Sequence, residues 1–109
     1  MKEIKAIVRP SMADKVLDAL RAAGHLPGIT MSSVRGFSRS GAETDQSAEA
    51  EDAPMTKIEV VVPDDLLDGA VALIAESART GRAGDGKIFV YAVQDVIRIQ
   101  TGERGEAAI

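Results

Sequence analysis

The residues best suited to chemistry form a glycine-rich stretch, residues 80–87, which reads Thr-Gly-Arg-Ala-Gly-Asp-Gly-Lys. Glycine lets the backbone adopt positive φ angles and approach a ligand closely. Successive exposed N–H groups can form an anion-binding concavity, to which a lysine adds a positive charge. This stretch, called the glycine loop below, therefore predicts a phosphate-binding loop. The alternative is a plain helix-to-strand turn with Gly81 as the helix C-cap, which explains one glycine of the three.

The glycine loop matches the spacing of a Walker A loop but not its chemistry. Ile88 stands where the hydroxyl that binds Mg²⁺ is required. A Walker loop also leaves a strand and enters a helix, whose N-terminus receives the phosphate. Here a helical pattern precedes the loop and a strand pattern follows it. The chain is therefore not expected to be a P-loop NTPase.

The composition indicates one globular domain. The 109 residues are 45% hydrophobic and include no cysteine, which excludes disulfides and thiolate metal sites. No apolar run approaches the roughly 20 residues of a membrane span, and the N-terminus does not resemble a signal peptide. We therefore expect a cytoplasmic protein without membrane insertion. A nucleic-acid partner is not expected, because only three residues are aromatic and no basic stripe is evident.

The net charge of −4 arises in one segment, residues 38–54, called the acidic segment below. It holds five carboxylates and one arginine, whereas the rest of the chain is balanced. Because it has no bulky apolar side chain, it cannot bury enough surface to offset its ordering entropy. Long loops inside compact domains are often functional, so we expect it to respond to a partner or ligand. The alternative is an acidic insertion that serves only solubility.

Hydrophobic periodicity predicts the element order β-α-β-β-α-β, followed by a short fifth strand. This is the split βαβ, ferredoxin-like pattern of an α+β domain. The apolar side chains of Ile7 and Val61 point to the sheet face away from the helices, which suggests an oligomer. The predicted strands are 3–9, 29–37, 55–62, 87–91 and 97–99.

The predicted helix boundaries rest on capping residues. Ser11 is expected to be the N-cap of the first helix, with Asp14 at the capping-box distance and Gly24 as the C-cap. The second helix is expected to begin at residues 63–65, where two aspartates suit a first turn. The only histidine, His25, is interpreted as a solvated loop residue, since one histidine lacks partners for a metal site.

The sequence resembles the PII signal-transduction family over nearly its full length. The resemblance lies in residues 1–7, 34–37, 57–65, 80–90, 96–99 and 101–103. The run Gly-Asp-Gly-Lys-Ile-Phe-Val, placed as it is here, is highly specific. The resemblance implies a homotrimer of ferredoxin-like subunits that binds an adenine nucleotide (ATP, ADP or AMP) in each cleft between subunits.

The same resemblance divides the single domain, residues 1–109, into named segments. The acidic segment falls in the family's T-loop (about 38–55), the glycine loop is its B-loop (80–87), and the end of the chain is its C-loop (about 98–109). The phosphates would be held by backbone N–H groups and the lysine ammonium of the B-loop, by Arg98 from a neighbouring subunit and by Arg39 at the base of the T-loop. The implied nucleotide-binding residues are Ile7, Thr30, Gly36, Phe37, Arg39, Val61, Gly84, Asp85, Gly86, Lys87, Arg98 and Gln100.

Two departures from the family pattern bear on the ligand. The family's Arg-x-Arg in the C-loop is here Arg98-Ile99-Gln100, so one cation is missing and a weaker preference for ATP over ADP or AMP is expected. The family's Gly-Arg-Gln at the base of the T-loop is here Ser38-Arg39-Ser40. That glutamine links the family to Mg²⁺ and 2-oxoglutarate, and the short serine puts both in doubt.

The expected output is a T-loop that engages a target protein. This T-loop is shorter than usual and has no tyrosine, so uridylylation there is excluded; Ser47 is a candidate for phosphorylation by residue type alone. The target is expected to be a transporter, such as a membrane transporter, or a metabolic enzyme related to inorganic carbon, nitrogen or metals.

Two other functions compete with this regulatory one. A slow ATPase lacks a credible base, because His25 is remote from the glycine loop in sequence, so no catalytic residue is predicted. The alternative is a trimeric interaction protein, or a protein that binds a cation through Glu49, Glu51 and Asp52, with a degenerate nucleotide site. No metal ligand is otherwise expected.

Overall fold

The computed structural model describes residues 1–24, 26–38 and 51–109. Its element order confirms the predicted α+β, ferredoxin-like βαββαβ pattern. Two short 3₁₀ segments, Asp64–Leu66 and Gly105–Ala108, precede the second helix and end the chain. The main elements are β1 (Lys2–Val8), α1 (Pro10–Ala22), β2 (Ile29–Ser38), β3 (Glu51–Val62), α2 (Leu67–Ala78) and β4 (Gly86–Ala92).

The four strands form one sheet in the order β2-β3-β1-β4, and every neighbouring pair is antiparallel. Thus β3 lies between β1 and β2, which is what makes the βαβ unit split. At one end of the sheet Val8 pairs with both Thr56 of β3 and Gly86 of β4. This end therefore carries the glycine loop, the end of β1 and the point where β3 enters the body of the sheet, side by side.

Both helices cover the same sheet face, and the core lies between them. Alternate residues of the two central strands point into it, as the period of two requires. Apolar side chains at helical spacing on α1 and α2 close it from the other side. The largest fully buried side chains are Ile4, Val8, Val16, Leu20, Ile58, Val60, Val62 and Ile74.

The other sheet face, called the open face below, mixes charged and apolar side chains. Lys5 lies over two aromatic rings of β4, with its Nζ 4.9 Å from the centre of Tyr91 and 5.5 Å from that of Phe89. Lys57 Nζ lies 3.4 Å from Glu59 Oε1 on the same face. Phe89 and Tyr91 remain more than two-fifths exposed, so a substantial apolar surface is uncovered in the single chain.

The strands β2 and β3 extend past the rest of the sheet as a two-stranded ribbon. The predicted third strand began at Met55, whereas β3 begins at Glu51, within the stretch expected to be loop. The reason is pairing with β2, which continues for five residue pairs beyond Thr56. Among the described strands, β2 is the only neighbour of β3 there. Pro54 has no N–H to donate, and this is tolerated because β3 is an edge strand at that position. Arg39 and the rest of residues 39–50 lie outside the described residues.

The boundaries of α1 differ from the prediction. Arg9 is the N-cap and Pro10 occupies the first turn, so the predicted capping box of Ser11 and Asp14 is wrong. Proline suits this position because its φ is already helical and it has no N–H to satisfy. Gly24 follows the C-cap Ala23 with a φ of 77°, the conformation that glycine adopts most easily. His25 lies outside the described residues.

The chain after β4 forms a compact loop without a fifth strand. The strand predicted at 97–99 is reduced to one bridge between Ile97 and Arg104, which joins the segment to itself. The turn between them is closed by the N–H of Gly102, which donates to the carbonyl of Arg98 at 2.8 Å. Within the part of the chain that the structure describes, no helix is long and apolar enough to cross a membrane.

Candidate functional site

The glycine loop is organised around the carboxylate of Asp85, which points into the loop. Its Oδ2 accepts hydrogen bonds from the backbone N–H groups of Thr80 at 2.8 Å and Gly81 at 3.0 Å. Its Oδ1 accepts one from the Thr80 hydroxyl and one from Arg9 Nε at 2.9 Å. The carboxylate therefore ties the start of the loop to its end, and these bonds occupy both of its oxygens.

These hydrogen bonds also favour the ionised form of Asp85. The hydrogen bonds from the Thr80 side chain and from Arg9 hold its pKa well below the usual value for a carboxyl group. A carboxylate that stays ionised and fully engaged is a poor general base. Asp85 is therefore a structural residue of the loop, although the resemblance implied a role in binding the nucleotide.

Three glycines of the loop have positive φ angles: 84° for Gly81, 91° for Gly84 and 104° for Gly86. Gly81 is not the helix C-cap, because α2 ends with Arg79 in an extended conformation. The plain helix-cap reading of the glycines is therefore wrong. Gly86 has a second constraint, since a β-carbon there would lie 1.7 Å from the carbonyl oxygen of Ile7.

A depression of about 240 Å³ lies beside the loop. Lys87 is exposed at its rim and pairs across the sheet with Ile7, whose side chain faces the same side. Arg79 and Ala75 of α2 contribute to its wall, together with Asp85, Gly86 and Ile88. The side chains of Lys87 and Ile7 lie on the open face, whereas α2 forms the wall of the depression on the helix side of the sheet.

The structure thus brings together five of the predicted residues: Ile7, Gly84, Asp85, Gly86 and Lys87. Thr30 and Val61 lie elsewhere on the open face, where Thr30 pairs with Glu59 and Val61 with Glu3. Gly36 and Phe37 lie on the projecting ribbon, and Phe37 is 65% exposed. Neither group forms one pocket with the glycine loop within this chain.

Arg98 and Gln100 lie in the C-terminal segment, which leaves β4 at the end opposite to Lys87. Six residues of strand separate the two ends, or about 20 Å. Arg98 is held by its own segment, because its Nη1 lies 3.2 Å from Glu103 Oε1 and its Nη2 lies 3.3 Å from the carbonyl oxygen of Ala107. Gln100 is exposed in the adjacent turn.

Two residues of the loop's hydrogen-bond network, Arg9 and Thr80, were not among the predicted site residues. Arg9 lies 76 residues before its partner Asp85, so no local spacing in the sequence signals the contact. The only available signal was an arginine between a strand and a helix-starting proline. Among residues 1–24, 26–38 and 51–109, no group of three or more acidic or histidine side chains is placed to hold a metal ion.

Comparison with known proteins decides the family. A sequence model described as "Nitrogen regulatory protein P-II" matches residues 1–103. The chain belongs to this family. A P-II protein of Rhodospirillum rubrum is 47% identical over 113 residues, and the alignment covers all of both chains. P-II 1 of Escherichia coli K12 is also 47% identical with the same coverage.

A solved structure agrees with this assignment. The crystal structure of Arabidopsis thaliana PII bound to citrate superposes with a TM-score of 0.83 at 44% identity, and covers 99% of this chain and 91% of that one. The fold and the regulatory class of this P-II chain are therefore shared with proteins from bacteria and a plant.

Proposed function

We propose that this P-II protein is a homotrimer that binds an adenine nucleotide in each cleft between subunits and signals through its T-loop to a partner protein. The single observation that carries the nucleotide site is the geometry of the glycine loop. Its carboxylate is turned inward onto Thr80, Gly81 and Arg9, so the loop does not present that negative charge to a phosphate. Lys87 stays exposed beside the depression.

Two features support a site completed by a second subunit. The first is the open face, where Phe89 and Tyr91 are each more than two-fifths exposed, although aromatic side chains gain most from burial. The second is the position of Arg98, which follows the far end of β4, a strand about 20 Å long that begins at the glycine loop. Packing of the open faces against one another would bury the aromatic side chains. In the same assembly, Arg98 of a neighbouring subunit would contact the phosphates beside the glycine loop.

The ribbon of β2 and β3 supports an output through the T-loop. It projects from the sheet end that carries the glycine loop, and residues 39–50 join its two strands. An ion pair between Arg35 and Asp52 braces the ribbon, with Arg35 Nε 3.1 Å from Asp52 Oδ1. The partner proposed is a transporter or a metabolic enzyme, reached from the cytoplasm. The cation-binding alternative is weakened, because Asp52, one of its three carboxylates, is already paired.

The ligand preference proposed for the site follows from its cations. Lys87, Arg98 and Arg39 remain, whereas Gln100 brings no charge, so ATP should gain less over ADP and AMP than at a site with one more arginine. Mg²⁺ and 2-oxoglutarate are not part of the proposal, because Ser40 is too short to replace a glutamine. The citrate in the Arabidopsis relative indicates that a protein of this fold can hold a small polyanion.

Titration calorimetry with ATP, ADP and AMP tests the nucleotide site. The wild type should bind at least one of the three, with one site per subunit, and Lys87→Ala should weaken binding about tenfold or more, the loss of a charge-assisted contact of roughly 1.5–3 kcal/mol. Lys15→Ala, which removes an exposed lysine on α1, is the matched control and should bind as the wild type does. Absence of binding for all three nucleotides would refute the proposal.

Light scattering after size exclusion tests the assembly separately. A homotrimer should give three times the 11.5 kDa mass of one chain. Phe89→Asp places a carboxylate on the open face and should shift the protein to monomers, whereas Lys15→Asp on the outer side of α1 should not. A wild type that runs as a monomer at micromolar concentration would contradict the cleft between subunits.

A further inference from the structure

We propose that Arg9 is a positioning residue of the nucleotide site, which acts through Asp85 to hold the glycine loop in its phosphate-receiving shape. This inference rests on the function proposed above. Arg9 is the last residue before α1 and directly follows β1, so its backbone is fixed by two elements of the core. Its side chain is 25% exposed and that of Asp85 is 23% exposed, which removes much of the solvent screening of the pair.

The guanidinium contacts the loop on both sides of Gly84. Its Nε donates to Asp85 Oδ1 at 2.9 Å, and its Nη2 donates to the carbonyl oxygen of Ala83. The planar fork fixes these two donors relative to each other, so both contacts together set the direction of the chain between them. Gly84 packs against the same group, since a β-carbon there would lie 3.3 Å from Nη2.

The charge of Arg9 also matters for the phosphate. Asp85 is an anion in the part of the loop that is proposed to receive further negative charge. Arg9 neutralises it, while Thr80 and Gly81 take up its remaining acceptor capacity. Without Arg9 the loop would be less fixed, and its carboxylate would repel the ligand. Because the guanidinium is already engaged by Asp85 and Ala83, bracing explains its position better than direct contact with a phosphate does.

The test uses Arg9→Met, Asp85→Asn and the double variant in the full chain. Hydrogen exchange is measured first without nucleotide, on the N–H groups of Thr80 and Gly81, which donate to Asp85. Both single variants should speed exchange at these two positions, whereas exchange in the core strands stays slow. Arg21→Met removes an exposed arginine from the last turn of α1 and should leave the loop amides unchanged. Loop exchange in Arg9→Met as slow as in the wild type would overturn the proposal.

Calorimetry with ADP and with adenosine supplies the second readout. Each single variant should lose about tenfold in ADP affinity, about 1.4 kcal/mol, and the double variant should lose no more than either one, because the two residues act as one unit. Adenosine, which has no phosphate, should be affected much less. An ADP loss in Arg9→Met with wild-type affinity in Asp85→Asn would instead mean direct phosphate contact, and additive losses would also overturn the proposal.

Arg9→Lys keeps the positive charge but not the fork, and serves if Arg9→Met folds poorly. It should retain part of the ADP affinity and show intermediate exchange at Thr80 and Gly81. Full recovery of both would show that charge alone is sufficient and would contradict positioning by the fork. If the wild type binds no nucleotide, the function proposed above fails, while the exchange experiment still decides whether Arg9 braces the loop.

Discussion

Gly86 passes so close to Ile7 that a β-carbon on the glycine would lie 1.7 Å from the Ile7 carbonyl oxygen and 2.8 Å from its carbonyl carbon. The contact is between backbones of adjacent strands, so no side-chain rotation can relieve it. The φ angle of 104° at Gly86 adds a second restriction. The backbone conformation at the end of the glycine loop therefore depends on its contact with β1 as well as on the loop's own sequence.

Gly86→Ala should destabilise the protein by about 3 kcal/mol or more, because strain at positive φ adds to a clash that only a backbone shift can remove. Urea denaturation at matched subunit concentration measures this. Gly81→Ala is the control: its φ is 84°, but a β-carbon would meet nothing within 4 Å. Gly81→Ala should lower the free energy of unfolding by about 1–2 kcal/mol, because only the left-handed conformation opposes it. Equal costs for the two variants would contradict the close approach.

Gln100 stands where the family's C-loop pattern has its second arginine. Gln100→Arg should therefore raise the affinity for ATP about threefold to tenfold relative to AMP. The estimate is that of one additional, partly exposed charge pair with a phosphate. Competition calorimetry with the two nucleotides measures the ratio. Gln94→Arg adds the same charge to an exposed position of the same segment and should leave the ratio unchanged. A ratio that rises equally in both variants would indicate a general charge effect.

Asp64 should contribute to the acid stability of the protein. Its Oδ1 accepts hydrogen bonds from the terminal amine of Met1 at 2.8 Å and from Lys2 Nζ at 2.9 Å, and these lower its pKa to about 2. A lowered pKa in the folded state means stability that is present above the ordinary carboxyl value of about 4. This stability is lost as the pH falls towards 2.

Asp64→Asn should therefore reduce stability at neutral pH, and its difference from the wild type should shrink between about pH 4 and pH 2. Denaturation curves across this range measure the difference. Asp65→Asn removes a neighbouring carboxylate in the same turn, which makes neither of these two contacts, and controls for the loss of charge. Identical acid profiles of the two variants would exclude the role of the ion pairs.

Glu3→Gln should stabilise the protein at neutral pH. Burial raises the pKa of Glu3, and the neighbouring Glu59 on the open face raises it further, although Lys5 and Lys57 oppose both. A raised carboxyl pKa means that ionisation is harder in the folded state, so the penalty grows as the pH rises above the ordinary value of about 4.3. Thermal unfolding at pH 4 and pH 7 should show a gain at pH 7 only, and Glu76→Gln, on the exposed side of α2, should show none. A gain of equal size at both values would disprove the linkage.

The regular elements could be predicted because each has a local pattern of its own. Ile4, Ala6 and Val8 alternate, and Val16 and Leu20 repeat at helical spacing, so both the strand and the helix that cover the core were evident. The first residues of β3 could not be predicted. Asp52 and Pro54 are unfavourable in a strand by themselves, and they form one because β2 offers a partner.

The C-terminal segment shows the opposite failure. Ile97 and Ile99 alternate with polar residues, which predicted a fifth strand. No strand of the described sheet pairs with them; instead the chain turns at Gly102 and Ile97 bridges to Arg104. Ile99 is left 99% exposed. Alternation predicts a half-buried extended segment, but it does not say what buries it.

The candidate site was predicted where its residues are contiguous and missed where they are not. Gly84, Gly86 and Lys87 stand together in the sequence, and their composition alone indicates a loop that holds an anion. Arg9 contacts this loop through the fold only. The residues predicted to bind a ligand are neighbours in the sequence and could be found there, whereas the contact of Arg9 with the loop could not.

Thr56, Val8 and Gly86 lie side by side on three adjacent strands at one end of the sheet. Neighbouring strands are about 4.8 Å apart, so the root of the ribbon lies about 10 Å from the last turn of the glycine loop. The ribbon continues from this root for five residue pairs, about 17 Å, so a rotation of the strands at the root would displace its far end most.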